Sequence, residues 1–254
     1  MMRALLMAEA IKIRRHSATW FAVAAPVVAV GLFLITLFGQ SPTPKMSPDA
    51  IWRALMRGGW TWWLAVFLPL LIALEAAALA NLEHEAQQWK QLFAGPVPRW
   101  QEYAVKLLFC GGLVAASTLA FGVGLVADVL ILDLFNRLNL VTHVPWADLA
   151  AQAGRAVLAS LPMIAIQNWI SLRYRGFAVS AGAGLALLLT GAFLAPVRPF
   201  HTKFWYPWTL PSFTVLTLES QVEDIHTAVV VGCVAGVVAC AVVCWELARK
   251  REVS

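Results

Sequence analysis

Two ionisable residues lie where so apolar a chain has least room for them. Glu75 falls deep in one apolar run, and Lys106 falls one turn into the next. A carboxylate inside a membrane span is costly and usually pairs or marks a pathway. Glu75 and Lys106 are therefore expected to form an ion pair between neighbouring helices, with a protonated carboxyl or a transport role as the alternative. Asp128 and Arg155 are the candidates for a second, more weakly supported pair at the opposite edge.

Two further clusters carry polar chemistry. Residues 82–94 read as a short polar helix stopped by Gly95-Pro96, since glycine followed by proline is a common helix stop. Glu83, Glu85 and Lys90 give it charges, and Trp89, Leu92 and Phe93 give it apolar anchors. Aromatic anchors inside a charged rim suit a protein–protein contact, and a solvated connector is the plainer alternative. Residues 197–226 hold Trp205, Tyr206 and Trp208 among prolines, then Glu219, Glu223 and Asp224. Such a stretch cannot be a regular spanning helix. It predicts a broken, partly re-entrant structure, tolerated only where protein or water shields it. Its aromatics and acids are candidates for an outer gate or substrate contact, and the acids would draw cationic ligands unless they serve only as solubilising charge.

Local catalytic motifs are absent. The chain has no phosphate loop of the Gly-x-x-x-x-Gly-Lys-Ser/Thr type, no His-Glu-x-x-His zinc motif and no Gly-x-Ser-x-Gly nucleophile. The histidines at 16, 84, 143, 201 and 226 are spread over separate segments. Cys110, Cys233, Cys240 and Cys244 all fall in apolar stretches without polar co-ligands and read as small packing residues. No catalytic residue and no metal site is expected.

The elements that must position these residues are membrane helices. Hydrophobic residues make up 60% of the chain and charged residues 13%, about half the charged share of a soluble domain. Six apolar stretches approach the roughly 20 residues a bilayer crossing needs: Trp20 to Phe38, Trp60 to Ala80, Ala104 to Val126, Ala156 to Leu172, Phe177 to Pro196 and Thr227 to Leu247. The fourth is the least apolar because of Gln167 and Asn168, and its outer boundary falls between Asp148 and Val157. With both termini cytoplasmic, twelve Lys and Arg residues lie inside and seven outside, in accord with the positive-inside rule. A net charge of +5 this scattered does not suggest nucleic-acid binding. The chain thus reads as a single all-α membrane domain over 1–254. Residues 2–18 form either an interfacial amphipathic helix or a basic flank of the first span. The first span is too long for a cleaved signal. The Pro-rich stretch 40–59 is expected as an outer loop, and Gly232-x-x-x-Gly236 and the small residues Gly111, Ala115, Thr118 and Gly122 as close-packing seams, within the chain or between two copies.

This layout resembles type-2 ABC exporter permeases, specifically the small permeases of lantibiotic immunity and bacitracin-resistance transporters. The likeness rests on the basic segment Ala8-Glu9-Ala10-Ile11-Lys12-Ile13-Arg14-Arg15 leading to Trp20 and Pro26. It rests also on Glu83-x-Glu85-x-x-x-Trp89-Lys90-x-Leu92 with Gly95-Pro96-Val97-Pro98-Arg99 and Lys106, and on Tyr206-Pro207-Trp208-x-Leu210-Pro211. The resemblance implies six spans and a bacterial cytoplasmic membrane. It implies no ATPase in this chain, so ATP and magnesium would be bound by cytosolic ATPase subunits. A second permease subunit and membrane lipids would be the other partners. The segment 82–94 would then be the coupling helix, and the cargo a cationic peptide antibiotic or a lipid-like compound. A membrane scaffold that binds a cytosolic partner and transports nothing is the rival reading. Too few polar residues cluster in the spans to favour a lipid-modifying enzyme.

Overall fold

The computed structural model describes residues 17–39, 47–85, 99–136, 140, 144–174, 176–194, 204–215 and 222–249. They form helices, turns and no strand: α1 (Ser17–Phe38), α2 (Pro48–Trp62), a π-helical turn (Trp63–Phe67), α3 (Leu68–Glu85), α4 (Arg99–Asn136), α5 (Trp146–Arg173), α6 (Phe177–Leu194), a 3-10 turn (Leu210–Thr214) and α7 (Val222–Arg249). Five stretches are long and apolar enough to cross a membrane, the unit of α2, the π turn and α3 being one of them, and α6 is a shorter apolar helix. The helices run alternately up and down. The end at which α1, α4 and α6 finish and α2, α5 and α7 begin is here called distal, and the opposite end proximal.

Several helices are longer than their apolar cores suggest. Residues 48–59, expected as loop, are helical. Pro48 starts the helix rather than breaking it: it stands at the first helical position, where its missing N–H costs nothing. Ser47 caps the turn by accepting a hydrogen bond from the Ala50 amide, and Asp49 adds a favourable charge to it. The same helix then passes without a break from α2 into α3. Pro69 has no amide to give to residue 65, and the ladder slips to a π turn in which the Leu68 amide bonds the Trp63 carbonyl. At its other end α3 runs on through Glu85 instead of stopping near Ala80. Likewise α4 runs past the apolar stretch that ends at Val126, on to Asn136, and carries Asp128 and Asp133 in helix. Polar residues end a hydrophobic stretch without ending a helix.

The core runs along the bundle and is aromatic near its middle. Trp52, Trp60, Trp63 and Phe121 are buried, with Trp63 stacked on Phe121 at 4.6 Å and Trp60 edge-on to the same ring at 5.4 Å. Trp52 is fixed by donating from Nε1 to the Leu140 carbonyl at 3.1 Å. The second organising element is α5, which packs against α3, α4, α6, α7 and the 3-10 turn. Gly232 and Gly236 of α7 lie directly on its backbone around Ala159 and Leu161. The Gly-x-x-x-Gly seam therefore packs within the chain. The other small-residue stripe divides: Gly122 faces the Trp60 ring, whereas Gly111 has open space beside it.

Candidate functional site

Glu75 and Lys106 are both buried, at 0% and 2% exposure, on the adjacent helices α3 and α4. They do not form the expected ion pair. Neither Glu75 carboxylate oxygen has a hydrogen-bond partner, and the Lys106 ammonium donates to the Leu79 carbonyl at 3.2 Å. The reason is register. Leu79 is one helical turn beyond Glu75, so Lys106 meets α3 about 6 Å nearer its proximal end. Glu75 lies close enough to Cys110 of α4 to act on it electrostatically, and the Cys110 thiol meets the side-chain amide of Asn168 in α5. A carboxyl buried without a hydrogen bond is rare and expensive, and inside a membrane bundle it marks a functional position by default.

Polar side chains of α5 continue from that point toward the proximal end. Gln167 donates to the Ser180 carbonyl at 2.9 Å, and the Ser171 and Ser180 hydroxyls bond each other. These bonds fasten α6 to α5 beside Gly184, where an added Cβ would lie 2.4 Å from Ala73 of α3. The connecting turn is tight enough to need Gly176 at φ +106°. Below it, Glu246 of α7 accepts from Trp169 at 2.9 Å and from Arg173 at 3.1 Å. The Tyr103 hydroxyl donates to the Ala165 carbonyl at 3.1 Å, tying α4 to the same post. Glu246 and Tyr103 were not among the sequence candidates. Glu246 is three residues from the basic end of α7 and looks there like an ordinary surface charge.

The distal candidates are partly resolved into roles. Tyr206 and Trp208 are buried, Trp205 is exposed, and their turns lead into the 3-10 turn packed against α5 and α7. The Tyr206 hydroxyl donates to the Leu187 carbonyl of α6 at 2.5 Å, and burial holds the phenol above its ordinary pKa, so it remains a donor. Thr214 accepts from Gln152 of α5 at 3.0 Å. Residues 204–215 thus form a broken, packed segment, here called the distal plug, in accord with the irregular structure expected of this stretch. Asp224 stands in the first turns of α7, half-buried and partnered. Glu223 is helical, with its side chain outside the described residues, as is all of Glu219. Of the proposed coupling segment, Glu83 and Glu85 are described only as helical backbone at the end of α3. Trp89, Lys90, Leu92 and Phe93 lie outside the described residues, as do residues 2–16.

Sequence reasoning passed over a cavity. Between α2 and α5, under the plug, is a space of about 250 Å³ lined by Arg53, Arg57, Trp60, Gln152 and Arg155, with Asp148 at its edge. The Arg57 and Arg155 Nε groups and the Trp60 indole nitrogen are buried there without hydrogen-bond partners. Arg155 does not pair with Asp128, whose Oδ2 is itself unpartnered beside a groove of about 630 Å³ between α1 and α4. Arg53, Arg57 and Trp60 fall at i, i+4 and i+7 on one face of α2, and Asp148, Gln152 and Arg155 at i, i+4 and i+7 on one face of α5. That spacing was the available signal.

A helical bundle with spans of this length and its polar groups turned inward is a multi-pass membrane protein. A family model described as ABC-2 family transporter protein matches residues 5–191, and the chain belongs to that family. It is the membrane permease component of an ABC transporter rather than the ATPase, and it associates with an ABC ATPase subunit. Neither a curated protein nor a solved structure matches the chain. The distal plug and α7 lie beyond the matched span.

Proposed function

We propose that this chain is the permease of an ATP-driven exporter for amphipathic compounds drawn from the bilayer, with peptide antibiotics and lipid-like molecules as the cargo classes and self-protection as the role. The observation that carries this reading is the filled interior. Trp60, Trp63 and Phe121 fill the middle of the bundle, and the groove of about 630 Å³ lies instead on the flank, between α1 and α4, lined by small and apolar residues such as Ala22, Gly31, Ala116 and Ala120. A cargo cannot thread one such bundle. It must travel along its side, between two permeases, so the working unit pairs this chain with a second permease and with two cytosolic ATPase subunits. Six crossings with both ends in the cytoplasm, in a bacterial inner membrane, fit the basic-residue distribution. The segment 82–94 then continues from α3 into the cytosol and docks on the ATPase through Trp89 and Phe93.

The test is purification of the intact complex, followed by reconstitution. Expected are a retained ATPase and ATP-dependent export of a labelled amphipathic peptide or lipid analogue from proteoliposomes. A chain that retains a cytosolic partner lacking ATPase activity, and exports nothing, is a scaffold.

A further inference from the structure

We propose that the distal cavity between α2 and α5 binds the phosphate of an anionic amphiphile, with Arg57 and Arg155 as its principal ligands and Arg53 at its rim. The argument starts from donor balance. The cavity presents three guanidinium groups and one carboxylate, Asp148. Among the described residues none of the three arginines makes a side-chain hydrogen bond or an ion pair. The Arg57 Nε, the Arg155 Nε and the Trp60 indole N–H are all buried donors without acceptors. The Gln152 amide is already committed to Thr214. What the site lacks is a compact group with several acceptor oxygens and negative charge. Guanidinium forks match phosphate in both geometry and charge.

Size and depth choose the source of that phosphate. About 250 Å³ is below the roughly 300–1,000 Å³ of sites that enclose a whole drug-sized ligand. It suits a headgroup whose chains stay outside. Trp62, five residues past Arg57, and Trp146, two residues before Asp148, are 57% and 59% exposed, so each helix that walls the cavity carries an exposed tryptophan close to it. Exposed tryptophans favour the membrane–water boundary, the depth of lipid phosphates. Met56 and Val215 supply apolar wall. A phosphate lying there can keep its lipid chains in the bilayer. The inference deepens the export reading by making the recognised group anionic, where the acids Glu219, Glu223 and Asp224 had suggested cationic cargo. It rests on that reading only for what happens to the ligand after binding.

The experiment measures binding without ATP, using the purified complex in phosphatidylcholine nanodiscs. The probes are a short-chain phosphatidic acid, the matching diacylglycerol and inorganic phosphate. Phosphatidic acid should bind, diacylglycerol should not, and inorganic phosphate should bind far more weakly. Arg57→Gln and Arg155→Gln should each weaken phosphatidic acid by about tenfold or more, the scale of a lost charge-assisted bond. If these variants do not fold, Arg57→Lys and Arg155→Lys keep the charge while removing the fork and should still weaken binding severalfold. Equal affinity for inorganic phosphate would overturn the lipid assignment in favour of a free-anion site. Equal binding of diacylglycerol, or phosphatidic acid binding unchanged in every arginine variant, would overturn the site itself. Arginine-dependent binding with no ATP-driven export would leave the site standing and remove the exporter.

Discussion

Replacing Gly232 with alanine tests whether α7 is clamped on α5 within one chain. A Cβ at that position would lie 2.6 Å from the Ala159 Cα, and 3.0 and 3.1 Å from the carbonyl oxygens of Leu158 and Ala159. All three are backbone atoms of a packed helix, so no rotamer change relieves the clash. Ordinary carbon contacts begin at about 3.5 Å, and the crossing must therefore open by about 1 Å. Overpacking of this kind costs about 1–3 kcal/mol, from which the better helix propensity of alanine recovers about 0.5–1 kcal/mol. The expected net loss is about 1 kcal/mol, within a range of about 0–2.5 kcal/mol. Gly236→Ala meets the Leu161 Cβ at 2.6 Å and should behave alike. The two sites are a turn apart at one crossing, so the double variant should lose less than the sum, because the first alanine has already parted the helices. Gly112→Ala, with nothing within 4 Å of its added Cβ, is the control and should be neutral or slightly stabilising. Reversible unfolding in mixed micelles, followed by tryptophan fluorescence, reads all four. If Gly232→Ala is as stable as Gly112→Ala but shifts the oligomeric state, the seam joins two copies and the intramolecular clamp is wrong.

Other consequences are open to direct measurement. Lys106→Met should cost about 1–3 kcal/mol through the lost bond to the Leu79 carbonyl, and combining it with Glu75→Gln should give additive losses within about 0.5 kcal/mol, because no direct pair joins them; a large rescue in the double variant would restore the ion pair. Tyr206→Phe should loosen the distal plug by about 1 kcal/mol, read as faster proteolysis or hydrogen exchange over 204–215. The Tyr206 phenol is raised by burial, so its contribution is complete below the ordinary tyrosine pKa and fades only as pH climbs through the higher folded value; a loss already at neutral pH would contradict the burial. Externally applied thiol reagents should reach single cysteines at 47 and 220 but not at 90 or 173, and the reverse pattern would invert the topology. Trp89→Ala or Phe93→Ala should release or uncouple the ATPase while the permease still inserts, and retained binding and coupled transport in both would place the ATPase contact elsewhere.

The apolar runs located the helices well, five of them long and apolar enough to cross a membrane, because burial in lipid and helix formation make the same demand on composition. They located the helix ends poorly because those are set by different physics. Pro48 illustrates this. In isolation it reads as a breaker, yet with Ser47 before it and Asp49 after it the same residue begins fifteen residues of helix. The third apolar run ends at Val126, but α4 has no breaker between Val126 and Asn136, so the helix continues and carries Asp128 and Asp133 along. Partner choice was less legible still. Gly232-x-x-x-Gly236 announces a close approach in any sequence, but only the fold reveals that Ala159 and Leu161 of the same chain receive it.

The charged residues show where a one-dimensional count stops. Summed by segment, Arg53, Arg57 and Arg155 were exceptions to the positive-inside distribution, three of the seven basic residues on the wrong side. Folding gives the exceptions a common cause. Two helices far apart in sequence each present an arginine-bearing face, and the faces meet across one cavity. Glu75 and Lys106 show the converse: similar depth in neighbouring apolar runs suggested a bond that one turn of register prevents. In both cases the deciding quantity was relative helix height, which composition does not encode and which the aromatic core and the α5 contacts set. Variants that shift α5 along its axis, such as a one-residue deletion between Gln152 and Ser160, should therefore disturb the arginine cavity and the Glu75 neighbourhood together. Reduced phosphatidic acid binding and altered Cys110 reactivity should appear in the same protein. If one changes and the other does not, the two sites are positioned independently, and α5 is not the element that sets both heights.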